Sequence, residues 1–172
     1  MKYMIIAGEA SGDLHAAGLI EGIKRHDPEA VFCFFGGDLM ARAARTNPVL
    51  CLDVLHVMWF SEVLRALPNL LKYLSLAKKT LREFRPDTLI LVDYPGFNLK
   101  MAKYARRHGI RVDWFISPKV WAWKEYRVRT IKRCVDAMYS ILPFEEDFYA
   151  KHGYKATYVG NPPLKEMEKV LG

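Results

Sequence analysis

Short continuous runs of apolar residues recur along the chain, and most of them end at a glycine, a proline or a polar residue. The clearest runs are Lys2–Ala7, Val31–Phe35, Thr88–Val92, Val112–Ile116 and Ala137–Leu142. Such a run is typical of a strand that is buried on both faces, as in a parallel sheet. Helical patterns lie between the runs, so strand, turn, helix and strand repeat as βαβ units. The pattern predicts an α/β fold with a parallel sheet and helices on both of its faces.

The segments between these strands predict the helices. Leu14–His26 has a helical pattern, and Ser11 or Asp13 could cap its first turn. Regular structure is expected to stop at Gly160, where Asn161 and two prolines follow. The remaining predicted elements are a short helix from Leu39, helices over Leu99–His108, Glu125–Arg133 and Phe144–Lys151, and short strands around Val49–Val54 and Ala156–Val159.

The segment Met58–Leu74 is unusually apolar, with 11 apolar or aromatic residues among 17. Pro68 is expected to break or restart a helix, and the residues after it have the spacing of one core-facing stripe. One interpretation is a buried corner between two helices. The other is an exposed apolar patch that contacts a membrane surface or an acyl chain, because four cations follow it closely. The residues predicted to make that contact are Met58, Trp59, Phe60, Leu64, Leu67 and Leu71.

A second unusual segment follows the strand that ends at Ile116. Residues 116–133 contain two tryptophans two positions apart, six Lys or Arg residues and a single acidic residue, and so carry +5 of the net +7 of the chain. A core tryptophan with a solvated helix behind it would explain part of this segment. Many cations beside aromatic rings favour a loop that binds an anion bearing a flat or apolar group.

Four unusual loops follow predicted strands: Gly8–Asp13, Gly36–Asp38, Asp93–Asn98 and Ser117–Arg127. Ligands of open parallel α/β sheets bind beyond the carboxyl ends of the strands, so these loops are expected to converge on one site. The first loop has neither a dinucleotide fingerprint nor a phosphate-binding P-loop nor a nucleophile elbow. We therefore expect Ser11 to cap the helix or to bind a ligand beside free backbone amides rather than to act as a nucleophile.

Asp93 is the best candidate for a catalytic carboxylate. It lies where an apolar strand meets a Pro-Gly turn, and burial there could raise its pKa toward that of a useful general base. An ordinary turn-forming aspartate is the competing interpretation. Glu9 and Asp13 are alternative candidates for the same role.

Composition limits the classes of function. The pI near 9.3 favours acidic partners such as nucleotides, sugar phosphates, nucleic acid or an anionic membrane surface. The three cysteines form no CxxC pair and the five histidines are scattered, which argues against a metal site. The first apolar run is too short for a signal peptide, and no stretch reaches the length of a spanning helix. The chain is expected to be cytoplasmic, with membrane contact that is at most peripheral.

The order of several motifs is similar to that of a known family. The N-terminal half of the lipid A disaccharide synthases resembles this chain over essentially its whole length. The segments that carry the resemblance are Gly8–Asp13 (GEASGD), Phe35–Gly37, Asp93–Asn98 (DYPGFN), Ile116–Lys124 (ISPKVWAWK), Leu142–Glu145 and Val159–Pro162.

The resemblance implies one half of a GT-B fold, in which two Rossmann-like domains face each other across a cleft. Residues 1–160 would form the N-terminal, acceptor-side domain, and residues 161–172 would begin the interdomain linker, with the second domain absent from this chain. The implied activity of the whole protein is that of an inverting glycosyltransferase at the cytoplasmic face of the inner membrane, without metal or other cofactor. It would move a diacylglucosamine unit from UDP-2,3-diacylglucosamine to 2,3-diacylglucosamine 1-phosphate. This fragment is expected to be inactive alone, and homo-oligomers are conceivable.

The resemblance also implies roles for single residues. Asp93 would be the base that takes the acceptor hydroxyl proton, and Lys119, Lys124 and Arg127 would bind the acceptor phosphate. Many members of the family have a second acid where this chain has Gly96, and a histidine where it has Asn161. The full set of predicted substrate-binding residues is Glu9, Ser11, Gly12, Asp13, Asn98, Ser117, Lys119, Trp121, Trp123, Lys124 and Arg127.

Two other functions remain open at this point. One is a different GT-B protein, such as a UDP-sugar epimerase, although the SPKVWAWK segment and the apolar patch argue against it. The other is a non-catalytic module that binds lipid or nucleic acid through its basic surface. Nucleic acid is not the expected partner, and its binding would depend steeply on salt. Binding at a glycolipid site would instead weaken when the acyl chains are removed.

Overall fold

The structure is a computed structural model, and it describes residues 1–51 and 63–160. Met58, Trp59 and Phe60 lie outside the described residues, and so does the predicted linker over 161–172. No helix among the described residues is long and apolar enough to cross a membrane.

Strands and helices alternate along the chain. The strands are β1 (Lys2–Ala7), β2 (Val31–Gly36), β3 (Leu50–Cys51), β4 (Thr88–Val92), β5 (Arg111–Phe115), β6 (Ala137–Ser140) and β7 (Ala156–Tyr158). The helices are α1 (Ala10–His26), α2 (Asp38–Ala44), α3 (Val63–Phe84), α4 (Pro95–Arg107), α5 (Val120–Trp123), α6 (Val128–Cys134) and α7 (Phe144–Lys151), with a 3₁₀ turn at Glu125–Arg127 between α5 and α6.

All seven strands form one parallel sheet in the order β3-β2-β1-β4-β5-β6-β7. The predicted α/β class and the parallel sheet are confirmed. The order turns back between β1 and β4, because the chain adds strands outward on one side of β1 and then on the other. In a sheet of this kind the crevice for a ligand opens at that point, beyond the carboxyl ends of the strands.

The sheet is covered on both faces, as predicted, and alternate residues of its strands supply two cores. On β1, Met4 and Ile6 pack with α3, α4, α6 and α7, whereas Ile5 and Ala7 pack with α1 and α2. Every residue of β4 is buried, which is why all of its residues after Thr88 are apolar.

Three predicted helix details are wrong. Helix α1 begins at Ala10 and Glu9 is its N-cap residue without a side-chain cap, so Ser11 and Asp13 lie inside the first turn and cap nothing there. Helix α4 begins at Pro95 rather than Leu99, because proline suits the first turn of a helix, where its missing N–H is not needed.

Pro68 does not break α3, which runs through it from Val63 to Phe84. An interior proline removes one backbone hydrogen bond. The core contacts of Leu74, Ala77 and Leu81 farther along the helix stabilise it, and all three side chains are buried.

Asp13 connects α1 to the start of α2. Its two carboxylate oxygens accept hydrogen bonds from the backbone amides of Gly37, Leu39 and Met40, at 2.9–3.1 Å. The first amides of a helix have no partner within the helix, and a carboxylate also suits the positive end of the helix dipole. Asp13 is 5% exposed, so these bonds are made away from water.

We expect Asp13→Ala to lower the free energy of unfolding by about 2–3 kcal/mol, because partly buried amides lose a charged acceptor. Urea denaturation measures the change. Glu21→Ala is the matched control, since Glu21 is an exposed acid on the same helix. An equal loss in the two variants would show that the Asp13 carboxylate does not hold α2.

Candidate functional site

A cleft of about 260 Å³ lies at the carboxyl edge of the sheet, where β1, β4 and β5 end. Three loops that are far apart in sequence meet there, at the point where the strand order turns back. The lining residues are Glu9, Asp93, Pro95, Lys119, Val120, Trp123, Lys124 and Arg127. Six of these are predicted site residues: Glu9, Asp93, Lys119, Trp123, Lys124 and Arg127.

Asp93 follows the last residue of β4 in a left-handed backbone conformation. Its φ is 44° and that of Tyr94 is 45°, so two consecutive residues with side chains adopt a conformation that favours glycine. Such strain persists where the surroundings impose it, and it is frequent at functional sites.

The Asp93 carboxyl group is partly buried. Burial, and next the negative charge of Glu9, raise the pKa of Asp93 above its ordinary value of 3.8. The positive charge of Lys119 and a hydrogen bond from the Tyr94 backbone act in the opposite direction. The result is a carboxylate that is more basic than an exposed aspartate and lies beside cations.

Gly8 is required by the position of Tyr94. A Cβ atom at Gly8 would lie 2.5 Å from Cγ of the Tyr94 ring, which is closer than two non-bonded carbon atoms can approach. Any side chain at Gly8 would therefore displace the residue next to Asp93. Gly96, in contrast, has open space around its Cα. The carboxylate whose negative charge acts on Asp93 is that of Glu9.

The cations of the cleft come from the segment after β5. The Lys124 ammonium lies 3.8 Å from the ring centre of Trp123, which is 75% exposed. This distance suits a cation–π interaction. The acidic residue of the segment, Glu125, lies 2.9 Å from Nε2 of His152, outside the residues that line the cleft. The cleft wall formed by this segment is therefore cationic and aromatic.

A cluster of polar contacts, buried except at Trp121, lies between this segment and α7. The Trp121 indole donates a hydrogen bond of 3.1 Å to Oε1 of Glu145, and the Ser117 hydroxyl lies 2.9 Å from the Tyr149 hydroxyl. Glu145 is 1% exposed, and burial raises its pKa. The hydrogen bond from Trp121 acts in the opposite direction and lowers the pKa in part. Trp121 also makes an edge-to-face contact with Phe144. The cluster ties the segment to α7.

Sequence reasoning missed four of these residues as site or support residues: Pro95, Val120, Glu145 and Tyr149. Pro95, Val120 and Glu145 lie within the motifs that carry the family resemblance, and that was the available signal. Tyr149 gives no signal in the sequence, because an aromatic residue on a helix is ordinarily a core residue.

The structure does not bring every predicted residue to the cleft. Ser11 is exposed in the first turn of α1, and Gly12 packs against Ala7 and Val92. Asp13, Asn98 and Ser117 are buried and hydrogen-bonded within the protein. Trp121 is 37% exposed, bonds to Glu145 and is not among the residues that line the cleft. Their predicted contacts with substrate remain predictions.

Among the residues predicted to contact acyl chains, Leu71 is the one whose side chain the structure describes. It is 55% exposed on α3, whose core-facing side is formed by other residues. Within residues 1–51 and 63–160, no cluster of three or more His, Cys, Asp or Glu is arranged to hold a metal ion.

The cleft, its acid and its cations can be compared with known proteins. A family profile described as lipid-A-disaccharide synthetase matches residues 3–170. The chain belongs to that family. The lipid-A-disaccharide synthase of Myxococcus xanthus is 44% identical over 96% of this chain and 43% of its own length. That of Trichlorobacter lovleyi is 44% identical over 99% of this chain and 44% of its own. This family member thus spans less than half the length of these relatives.

Solved structures with the same fold are more distant in sequence. UDP-GlcNAc 2-epimerase of Methanocaldococcus jannaschii, in complex with UDP-GlcNAc and UDP, has a TM-score of 0.68 at 16% identity over 94% of this chain and 47% of its own. The Neisseria meningitidis enzyme, bound to UDP-GlcNAc, has a TM-score of 0.66 at 14% identity over 94% of this chain and 46% of its own. These likenesses confirm the Rossmann-like half of a GT-B fold, and at such identities they show the fold alone.

The raised pKa of Asp93 predicts how stability responds to pH. As pH rises from below 3.8, the unfolded chain ionises at its ordinary pKa while the folded protein keeps the proton to higher pH. Between the pKa of the unfolded chain and that of the folded protein, rising pH therefore favours the unfolded chain. We expect Asp93→Asn to be more stable than the parent at pH 7, with an advantage that shrinks toward pH 3.

Thermal and urea denaturation from pH 3 to pH 8 measure this difference. Asparagine also tolerates the left-handed backbone well, and that part of the gain is independent of pH. A stability difference that stays constant from pH 3 to pH 8 would therefore contradict the raised pKa.

Proposed function

We propose that this chain forms the acceptor side of a lipid-A-disaccharide synthase, an inverting UDP-sugar glycosyltransferase. The observation that carries the proposal is the cleft at the turning point of the sheet, where a partly buried carboxylate lies beside Lys119, Lys124 and Arg127. Membership of the family supports the chemistry. The geometry supports the assignment of roles to single side chains.

The three cations are proposed to bind the phosphate of 2,3-diacylglucosamine 1-phosphate. Arginine and lysine form charge-assisted hydrogen bonds with phosphate oxygens, and arginine can do so with two N–H groups at once. The loop follows β5 and Asp93 follows β4, so a phosphate on the loop side would place the sugar between the loop and Asp93. The aromatic ring of Trp123 lines the same cleft and offers an apolar wall to the sugar or its acyl groups.

Asp93 is proposed as the general base. Its carboxylate takes the proton from the 6-hydroxyl of the acceptor, and the freed oxygen attacks the anomeric carbon of the donor sugar. The bond from that carbon to the UDP oxygen breaks, UDP leaves with the electron pair, and the configuration at the anomeric carbon inverts. A raised pKa helps here because a more basic carboxylate accepts the proton more readily. The proposed step uses no cofactor.

The donor UDP-sugar is proposed to be bound jointly with the portion of the protein that corresponds to the unmatched length of the relatives. This chain covers 43–44% of the Myxococcus xanthus and Trichlorobacter lovleyi relatives. In a two-domain fold of this type the donor and acceptor meet in the cleft between the domains. Residues 1–172 alone are therefore proposed to bind the acceptor without turning it over.

A peripheral position on the cytoplasmic surface of the inner membrane is proposed from the charge of one face. Helices α4, α6 and α3 from residue 69 onward pack on the same face of the sheet and together carry eleven Lys or Arg residues and one acid, Glu83. Helices α1 and α2 on the opposite face carry three of each sign. Helix α7, at the β7 end of the basic face, is acidic. A one-sided basic surface next to the exposed Leu71 suits anionic lipid.

The substrate assignment predicts selective binding. Acylated glucosamine 1-phosphate should bind this chain in detergent micelles, its deacylated form should bind poorly, and UDP alone should not bind. We expect Arg127→Met to weaken acceptor binding by about 10- to 100-fold, because a charge-assisted bond to phosphate is lost. Isothermal titration calorimetry measures the affinities.

Arg129→Met is the matched control, since Arg129 is exposed two residues farther on and does not line the cleft. Asp93→Ala should fold and still bind the acceptor. Equal effects of the Arg127 and Arg129 substitutions would refute the phosphate site. Strong binding of UDP would favour an epimerase-like nucleotide site, and steeply salt-dependent binding of nucleic acid would favour a nucleic-acid module.

The basic face predicts lipid binding that depends on charge. We expect this chain to sediment with vesicles containing phosphatidylglycerol and not with pure phosphatidylcholine vesicles. Substituting Lys100→Gln and Lys103→Gln on α4 together should weaken binding by about 30-fold, because each basic residue near the surface contributes about 1 kcal/mol. Arg25→Gln with Arg42→Gln on the opposite face is the control. If both pairs lower binding equally, the α3–α4–α6 face does not contact the membrane.

A further inference from the structure

Asn98 lies in the first turns of α4 directly behind Asp93. Its side chain is completely buried. The Nδ2 amide donates hydrogen bonds to two successive backbone carbonyls, that of Val92 at 3.2 Å and that of Asp93 at 2.8 Å. One side-chain amide thus holds the last carbonyl of β4 and the first carbonyl of the turn.

These two carbonyls belong to the peptide groups on either side of Asp93, the first residue of the left-handed pair Asp93 and Tyr94, whose φ values are 44° and 45°. When the carbonyls on both sides of a residue are held, its φ and ψ have little freedom. The backbone N–H of Asn98 also donates to the Tyr94 carbonyl at 3.1 Å, which ties the second residue of the pair to the same helical turn. Asn98 therefore contacts both residues of the turn.

The direction of the Asp93 side chain depends on this backbone. In the left-handed conformation Asp93 joins Glu9, Lys119 and Lys124 in the lining of the cleft. An aspartate that returned to the common extended or right-handed conformation would direct its side chain elsewhere. The Asn98 amide acts on this backbone from inside the protein, because it is buried and does not line the cleft.

We propose that Asn98 is a positioning residue: its side-chain amide holds Asp93 and Tyr94 in the left-handed conformation and thereby keeps the Asp93 carboxylate in the cleft. This inference rests on the proposed function for its relevance to catalysis. It assigns Asn98 to the support of the base, in place of the direct substrate contact predicted from the sequence.

The position of the carboxylate can be followed without substrate. Burial and Glu9 raise the pKa of Asp93, while Lys119 lowers it; Lys124 and Arg127 also line the cleft. The experiment is a titration of ¹³C-labelled aspartate carboxyl groups by NMR, with the Asp93 signal identified from its absence in Asp93→Asn. In Asn98→Ala we expect the pKa of Asp93 to fall toward 3.8, because the carboxylate leaves its buried position.

Two comparisons distinguish a positioning role of Asn98 from a merely structural one. Met101→Ala removes a completely buried side chain from the same helix without touching the turn, so it should lower the melting temperature and leave the titration of Asp93 unchanged. Tyr94→Gly in the Asn98→Ala background should restore the titration, because glycine adopts the left-handed conformation without strain. Asn98→Ser provides a smaller change if the alanine variant does not fold.

A folded Asn98→Ala or Asn98→Ser variant with the titration of the parent would overturn the proposal. So would a set of Asn98 variants that stay unfolded even with Tyr94→Gly, because Asn98 would then be needed for the fold as a whole. Failure of acceptor binding in the calorimetric test would count against the proposed function and leave this titration unaffected.

Discussion

The structure depends on one constraint of parallel sheets: all strands end at the same edge. Glu9 follows β1, Asp93 follows β4 84 positions later, and Lys119 follows β5 a further 26 positions on, yet they share a cleft because their strands are neighbours. The strand order turns back between β1 and β4, so the connections leave in opposite directions and a crevice remains. Glu9, Asp93 and Lys119 meet there without any local sequence motif that joins them.

The cleft is built from groups that are costly to hold in place. Asp93 and Tyr94 adopt left-handed backbone, and Ile116 at the end of β5 does so as well, with a φ of 67°. Each such residue costs on the order of 1–3 kcal/mol, which the surrounding core must offset. Polar contacts follow both strands: the Asn98 amide donates to the Asp93 carbonyl after β4, and the Trp121 indole donates to Glu145 after β5. The sheet and these contacts hold the loops that carry the residues lining the cleft.

The two faces of the sheet differ in charge. The face covered by α1 and α2 is balanced in charge, while α3, α4 and α6 concentrate the positive charge on the other. A basic surface and an adjoining cleft with cationic walls would bring an anionic, acylated acceptor from a membrane to the site by the same electrostatic attraction. Because exposed charges are screened over about 8–10 Å in physiological salt, this attraction acts close to the surface.

Hydrophobic pattern alone determined the fold class, since short runs such as Leu89–Val92 are apolar at every position and are typical of a strand with both faces covered. Motif order determined the family, and the rule on strand ends correctly joined Glu9, Asp93, Lys119, Trp123, Lys124 and Arg127 in one cleft. Predictions from local sequence were wrong where a residue's hydrogen-bond partner lies far away in the chain. Asp13 has the pattern of a cap for its own helix, yet it binds the amides of α2. Side-chain direction and burial depend on which elements pack together, and only the tertiary structure specifies that packing.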